Sequence, residues 1–211
     1  SIVTGIGLSY ANSGPTHYST EDFASLRSLP NCNIYTCSDA EAAKMVAKET
    51  LKIKTPVFVR LDRKASKNLK KKIKIDDIKK GFRYLKKLKG SKNLILSHGT
   101  IIERSISALN DIKLKSSNSF DVIDLIRAKP FPKELKNKLS KYKSIITIDE
   151  QTSIGSLESL VKENISTKHN ILPMSLPDQF IFENVGRDKL LDKYGLSVAN
   201  IKKNIFKIIK S

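Results

Sequence analysis

The sequence predicts an α/β protein built of two small three-layer units with mainly parallel sheets, the first of them incomplete. Short apolar segments rich in β-branched residues alternate with segments of helical period along most of the chain. Some of these segments, such as 57–61, are almost continuously apolar, which is typical of parallel strands buried on both faces. A lysine-rich stretch separates two such regions, so we expect a first unit at 1–63, a connection at 64–92 and a second unit at 93–211.

The first unit is predicted to alternate strand and helix. Asp39 is well placed to cap a helix, because its side chain can accept a hydrogen bond from the first free backbone amides. Pro56 and the β-branched residues after it favour a strand over a short helix. The predicted elements are, in order, an apolar strand within 2–8, a helix beginning near 19–22, a strand at 33–37, a helix at 39–51 and a strand at 56–61.

The pattern is ambiguous in the connection and clear in the second unit. By period alone, 69–88 could be one amphipathic helix, but Gly81 interrupts it. After Asn93 the alternation resumes and predicts a second mainly parallel sheet. Its predicted elements are strands at 94–96, 120–126 and 144–148 and helices at 101–109, 132–139, 156–161 and 198–209.

The charge of the chain favours no class of macromolecular partner. The 211 residues carry a formal net charge of +18, with lysines concentrated in 64–92. Only Phe82 and Tyr84 interrupt that stretch as aromatic residues, so it offers few stacking surfaces for a nucleic acid. No apolar run approaches the length of a membrane span. We therefore expect no membrane as partner, and the composition favours a solvated basic surface over a nucleic-acid site.

The two cysteines predict free thiols. Cys32 and Cys37 are five positions apart and flank a predicted strand, on which residues of opposite parity face opposite sides. That geometry disfavours a local disulfide, and the spacing fits no zinc motif. Buried free thiols are typical of a reducing compartment, so a cytoplasmic location is expected.

The turn Gly14-Pro15-Thr16-His17 is the most informative feature for function. It lies between the opening apolar segment and a helix-start signal at 19–22. A histidine at such a turn would stand in the crevice beyond a strand end, where open α/β sheets bind ligands.

The segments around this turn resemble the transketolase family of thiamine diphosphate enzymes. The first unit is similar to the second half of the family's pyrimidine-binding domain, and the rest is similar to its C-terminal domain. The resemblance also implies a hairpin, with a strand near 82–85, a turn at 89–91 and a strand from Asn93. The segments that carry it are 7–17, 21–22, 26–31, 38–42, 55–63, 94–99, 120–125, 145–150, 186–191 and 194–196.

The resemblance implies that His17 is catalytic and that the cofactor is thiamine diphosphate. Gly14, Thr16 and His17 would contact the cofactor. His17 would also hydrogen-bond a sugar hydroxyl or carbonyl oxygen and assist proton transfer. His98 and His169 match no catalytic position, so a structural role is expected for both.

Substrate binding is implied for Ser13, Arg60 and Arg63. In some relatives the arginine that matches Arg63 holds a sugar phosphate. In deoxyxylulose-phosphate synthases the arginine that does so looks more like Arg60. The two arginines are three apart, so on a strand they face opposite sides, and only one is expected to reach the substrate unless the strand ends near Leu61. Ser13 replaces a common aspartate and Gly5 a common histidine, which puts the usual sugar-phosphate substrate in doubt.

Several parts of a complete enzyme of this family are not found in the sequence. It has no Gly-Asp-Gly segment to carry magnesium and diphosphate, and the activating glutamate and stacking aromatic of the pyrimidine domain are missing. The chain begins with Ser1, so we expect a fragment or a processed chain. It is expected to be inactive alone, in a homo- or hetero-oligomer such as a dimer, with another segment or subunit holding the magnesium.

The expected function is therefore that of the C-terminal portion or subunit of a transketolase-like enzyme. Such an enzyme transfers a two-carbon ketol unit between sugars or sugar phosphates. Three alternatives stay open: a 1-deoxy-D-xylulose-5-phosphate synthase-like enzyme, a 2-oxoacid dehydrogenase beta-like enzyme, and a non-catalytic assembly or regulatory protein of the same fold. The turn at 14–17 favours transketolase over the dehydrogenase.

Overall fold

Two sheets made mainly of parallel strands organise the chain, which confirms the predicted α/β class. The computed structural model describes residues 1–10, 12–63, 69–115, 118–165 and 169–210. The strands are β1 (Ile2–Thr4), β2 (Asn33–Thr36), β3 (Val57–Leu61), β4 (Phe82–Lys86), β5 (Asn93–Ser97), β6 (Phe120–Leu125), β7 (Arg127–Lys129), β8 (Ser144–Thr152) and β9 (Asn170–Leu176). The helices are α1 (Asp22–Ser28), α2 (Ala40–Thr50), α3 (Ile75–Lys80), α4 (Ile102–Asn110), α5 (Lys133–Leu139), α6 (Leu157–Asn164), α7 (Arg187–Lys193) and α8 (Val198–Lys210).

The first sheet has the order β1-β3-β2-β7. Its first three strands are parallel, and β7 is antiparallel to β2. Asp39 caps α2 as predicted, because its carboxylate accepts a hydrogen bond of 2.7 Å from the Ala42 amide. Neighbouring residues of β2 alternate between two apolar clusters: Ile34 packs towards the second sheet and Tyr35 packs under α2.

The second sheet has the order β4-β6-β5-β8-β9, and only β4 is antiparallel to its neighbour. The hairpin expected between 82–85 and Asn93 is wrong, although the strand itself forms. Phe82 lies opposite Leu125, so β4 pairs with β6, while β5 lies along the other edge of β6. Every residue of β6 is buried, and its backbone groups therefore need a partner strand on both edges.

The connection contains a short helix rather than one long helix. Gly81 ends α3 with φ of 84°, a left-handed conformation that glycine adopts without a steric penalty. The interruption at Gly81 predicted from the sequence is thus a helix end, and β4 begins at the next residue.

The core covers both faces of the second sheet. On β5, Ile95 packs in one apolar cluster with helices α4 and α8, and Leu94 and Leu96 pack in another with α5 and α6. The predicted terminal helix is confirmed, with its isoleucine stripe buried at Ile201, Ile205 and Ile208. Within the described residues, no helix is long and apolar enough to cross a membrane.

Both cysteines are free and buried. Cys32 belongs to the apolar cluster of the second sheet and Cys37 to the cluster under α2, so they lie on opposite sides of the first sheet, as strand alternation predicts. Burial raises the pKa of Cys37 to about 12, with Asp124 and Asp39 adding to the effect.

Candidate functional site

His17 lies on an exposed turn just beyond the first strand. After β1 ends, the chain folds back so that Gly7 and Ser19 form an antiparallel bridge. The His17 amide donates to the Gly14 carbonyl oxygen at 3.0 Å, and Gly14 takes the left-handed φ of 75° that closes the turn. The imidazole is exposed, so a ligand or a second chain can reach it.

The imidazole has a polar neighbour on its own turn. Its Nδ1 lies 2.9 Å from the Thr16 hydroxyl oxygen. Among the residues that the structure describes, none is hydrogen-bonded to Nε2, which leaves this nitrogen available to a substrate.

Tyr10 brings Arg63 to the same turn. The Tyr10 and His17 ring centroids are 5.5 Å apart, with a tilt of 50° between the rings. The guanidinium carbon of Arg63 lies 4.8 Å from the centroid of Tyr10, within the range of a cation–π contact. An imidazole and an arginine predicted as site residues therefore contact the same aromatic ring.

The sequence did not identify Tyr10 as a site residue. The glycine at position 5, in place of a side chain, was the one indication that another group fills this space. A Cβ atom at Gly5 would stand 2.0 Å from a carbon of the Tyr10 ring. The ring thus occupies the space directly over Gly5, where the family resemblance implies a histidine in other members.

The turn also carries the other small residues predicted for the site. Ser13 is exposed, and its amide donates to the Tyr10 carbonyl oxygen at 2.7 Å. Gly14 is buried, and none of the described residues has an atom within 4 Å of where a Cβ would stand. One turn therefore carries four of the predicted site residues, namely Ser13, Gly14, Thr16 and His17. Arg63 is connected to this turn by its contact with the Tyr10 ring.

Arg60 lies in the interior on β3, whereas Arg63 follows the end of β3 at Leu61 and is exposed. Its Nε and Nη2 donate to the two carboxylate oxygens of Asp22 at 2.7 and 2.8 Å, and Nη1 donates to the Thr36 hydroxyl at 3.2 Å. Its guanidinium also lies over the Phe23 ring, and only 1% of its side chain is exposed. These contacts favour a structural role for Arg60, whose predicted contact with substrate stays a prediction.

His98 and His169 have structural surroundings. The His98 ring packs 4.7 Å from Phe23, and its Nε2 lies 3.6 Å from an Asp149 oxygen. Burial lowers the pKa of His98 despite the opposing effect of Asp149, so its imidazole is neutral in the folded protein. Nδ1 of His169 lies 2.7 Å from the carbonyl oxygen of Tyr142.

A partly buried network of charged side chains contacts the segments that carry Tyr10 and Arg63. Arg187, at the start of α7, bonds Glu150 and donates to Asp62 at 2.7 Å. The same Glu150 carboxylate accepts from the Leu8 amide at 3.2 Å. Burial lowers the pKa of Arg187, but the two carboxylates raise it on balance, so the arginine stays charged. The resulting cross-links connect α7 and β8 to the segments flanking the site.

The candidate site is open surface rather than a closed cavity. Cavities of about 560, 510 and 480 Å³ occur in the protein, and His17, Tyr10 and Arg63 line none of them. The largest of these lies between Arg27, Cys32 and Lys129, at the other end of the first sheet. Over the described ranges, no group of three or more His, Cys, Asp or Glu side chains is placed to hold a metal ion.

Two protein-family models match this chain. The model of the transketolase pyrimidine-binding domain matches residues 1–68, and that of the transketolase C-terminal domain matches residues 83–201. The chain belongs to the transketolase family. Members similar to it are thiamine diphosphate enzymes.

Similar proteins include both partial and complete members of this family. A protein of Methanocaldococcus jannaschii named as a transketolase C-terminal section is 26% identical over 99% of this chain and 66% of its own length. The 1-deoxy-D-xylulose-5-phosphate synthase of Psychromonas ingrahamii is 29% identical over 91% of this chain and 30% of its own length. A subunit of the apulose-4-phosphate transketolase of Phocaeicola vulgatus is 26% identical over 97% and 65% respectively. This chain thus spans between 30% and 66% of the length of these relatives.

Solved structures show the same fold. A split-gene transketolase, described as an inactive tetramer of beta chains, aligns with a TM-score of 0.75 at 23% identity, over 98% of this chain and 64% of that one. Transketolase from Leishmania mexicana aligns with a TM-score of 0.79 at 16% identity, over 99% and 30%.

Proposed function

We propose that this chain supplies the second half of the pyrimidine-binding domain and the C-terminal domain of a thiamine diphosphate enzyme that transfers a two-carbon ketol unit between sugars or sugar phosphates. The observation that carries the proposal is the exposed His17 imidazole, on its turn beyond β1, with His17 and Arg63 both in contact with the Tyr10 ring. Family membership supports the cofactor and the class of reaction.

His17 is proposed to act on the substrate. Thiamine diphosphate would supply an electron sink for breaking the bond next to a carbonyl group. Nε2 of His17 would donate to a substrate hydroxyl or carbonyl oxygen and move a proton to or from it, since an imidazole nitrogen can both donate and accept a proton. Arg63 would hold an anionic group of the substrate, and Ser13 would lie beside a substrate hydroxyl.

The turn is proposed to face the cofactor. Gly14 lacks a side chain where nothing else fills the space, so the backbone allows close approach, and Thr16 orients the His17 ring through Nδ1. Because the site is open on this chain, its remaining walls would come from an N-terminal transketolase segment or subunit that also holds the magnesium and diphosphate. The relatives named as a transketolase subunit and as a C-terminal section support such a split.

The proposal is tested by reconstitution. The chain is co-expressed with the upstream or neighbouring reading frame that encodes the cofactor-binding half, and ketol transfer is measured with thiamine diphosphate and magnesium. We expect activity from the complex and none from either chain alone. A complex that forms and binds the cofactor but neither transfers a ketol unit nor makes 1-deoxy-D-xylulose 5-phosphate contradicts the enzyme assignment and favours an assembly or regulatory role.

A second candidate is 1-deoxy-D-xylulose-5-phosphate synthesis, which the 29% identity to the Psychromonas ingrahamii enzyme supports. The same complex separates the two by product. Formation of 1-deoxy-D-xylulose 5-phosphate without ketol transfer between sugars selects the synthase.

A further inference from the structure

The Tyr10 ring contacts both Arg63 and His17, two side chains of the candidate site. Its ring centroid is 4.8 Å from the guanidinium carbon of Arg63 and 5.5 Å from the ring of His17. Neither contact is a hydrogen bond, so both are made by the aromatic ring itself.

The position of this ring is constrained from below. Gly5 has φ of 94°, and a Cβ on it would overlap the Tyr10 ring at 2.0 and 2.3 Å. The backbone of Ser13 holds the carbonyl of Tyr10, and Glu150 holds the Leu8 amide two residues before it. The Tyr10 ring therefore packs directly against Gly5, and hydrogen bonds to the backbone at Leu8 and Tyr10 hold the segment that carries it.

A cation held over an aromatic ring keeps its hydrogen-bond donors available. The attraction to the ring is electrostatic and uses none of the five N–H donors of the guanidinium. Within the part of the chain that the structure describes, no carboxylate is paired with Arg63, whereas Arg60 is bound by Asp22 on two donors. Arg63 thus has both a fixed position and available donors, which suits an oxyanion such as phosphate or carboxylate.

We propose that Tyr10 is a positioning residue, which holds the Arg63 guanidinium over its ring so that an anionic group of the substrate binds there with the rest of the substrate directed at His17. The inference rests on the proposed function for its catalytic meaning. The anion-binding step, however, belongs to this chain by itself.

The test compares two substitutions that separate the ring from its hydroxyl. Tyr10→Phe keeps the ring and removes the hydroxyl, whereas Tyr10→Leu keeps much of the apolar volume and removes the ring. Nitrogen-15 NMR of the arginine Nε–H groups in the full chain is recorded while inorganic phosphate is added, with chloride at equal ionic strength as the control. Arg63→Gln identifies the Arg63 signal.

We expect phosphate to shift the Arg63 signal in the wild type and in Tyr10→Phe. In Tyr10→Leu we expect binding weaker by about three- to fivefold, the strength of one exposed cation–π contact. Equal phosphate affinity in Tyr10→Leu and wild type, with both variants folded by circular dichroism, overturns the proposal.

The reconstituted complex gives a second readout. Tyr10→Leu should raise the Michaelis constant for phosphorylated substrates by a similar factor, leave it unchanged for unphosphorylated ones and leave the turnover number nearly intact; Tyr10→Phe should restore the wild-type values. An equal effect on both kinds of substrate contradicts a positioning role. If the chain binds phosphate as described but no complex is active, the proposed function fails and the anion site stands.

Discussion

At the scale of single residues, Gly5 and Tyr10 act as a pair. The sequence indicated that Gly5 departs from the family pattern, but not what replaces the missing side chain. The replacement depends on how 5–10 folds back over itself, and a contact between residues five apart in an irregular turn leaves no periodic pattern to read.

Gly5→Ala should destabilise the protein by more than about 2 kcal/mol. Left-handed backbone strain contributes about 1–2 kcal/mol, and displacement of the Tyr10 ring adds to it. Gly90→Ala is the matched control, because φ is 77° there and no atom of the residues that the structure describes lies within 4 Å of the added Cβ. The measurement is the free energy of unfolding in urea, and equal losses for the two variants would show that the ring does not occupy this space.

At the scale of elements, the end of β3 decides how the two arginines are placed. Arg60 is on β3 and buried, whereas Arg63 lies beyond the end of β3 at Leu61 and is exposed, so strand alternation does not extend to it. The partner of Arg60 could not be predicted, because Asp22 lies 38 residues away and meets it only when α1 packs on the first sheet.

Arg60→Ala should lower the free energy of unfolding by about 3–5 kcal/mol, because it leaves the partly buried Asp22 carboxylate without its partner. Arg63→Ala serves as the control and should cost less than about 1 kcal/mol, because its side chain is exposed. Urea denaturation of both variants checks this. A small loss for Arg60→Ala would mean that its ion pair contributes little, and that the arginine is free for another role.

The elements themselves were predictable where period and caps agree. Asp39 marked the start of α2 and Gly81 the end of α3. Two strand pairings were not predictable: that of β4 with β6, and that of β7 with β2 in the first sheet. Both depend on which edge of a buried strand is left unpaired after folding. The exposed position of His17 followed from its turn, whereas its neighbour Arg63 was known only as one of two candidates.

At the scale of the whole molecule, a buried charge cluster joins the two sheets. Arg83 of β4 bonds Asp124 of β6 at 2.9 Å and also bonds Asp39, the cap of α2, at 2.8 Å. Ser38 donates to the same Asp124 carboxylate. The first sheet is thus tied to the second through groups that are at most 1% exposed in both ion pairs.

This cluster predicts a pH dependence of stability. Burial raises the pKa of Asp124 from 3.8 to about 6, more than Arg83 and Ser38 lower it. The folded state therefore binds the Asp124 proton more tightly than the unfolded chain, and the contribution of this group to stability falls as pH rises from about 4 to about 6.

The measurement is the free energy of unfolding of wild type and Asp124→Asn at several pH values. Their difference, wild type minus variant, should decrease by on the order of 2 kcal/mol between about pH 4 and 6 and stay constant above it. Comparison with Asp124→Asn removes the effect of other carboxyl groups. A difference that rises or stays level over this interval would show that Asp124 is ionised throughout.

The most direct measurement of the central claim is the turnover number of the reconstituted complex with His17→Ala and with His169→Ala. Both variants remove one imidazole, but His17 lies on the exposed turn and His169 lies against the backbone of Tyr142. Loss of a proton-transfer group predicts a fall of about 100-fold or more for His17→Ala, and no change beyond about twofold for His169→Ala. Wild-type turnover in a folded His17→Ala complex would contradict the account.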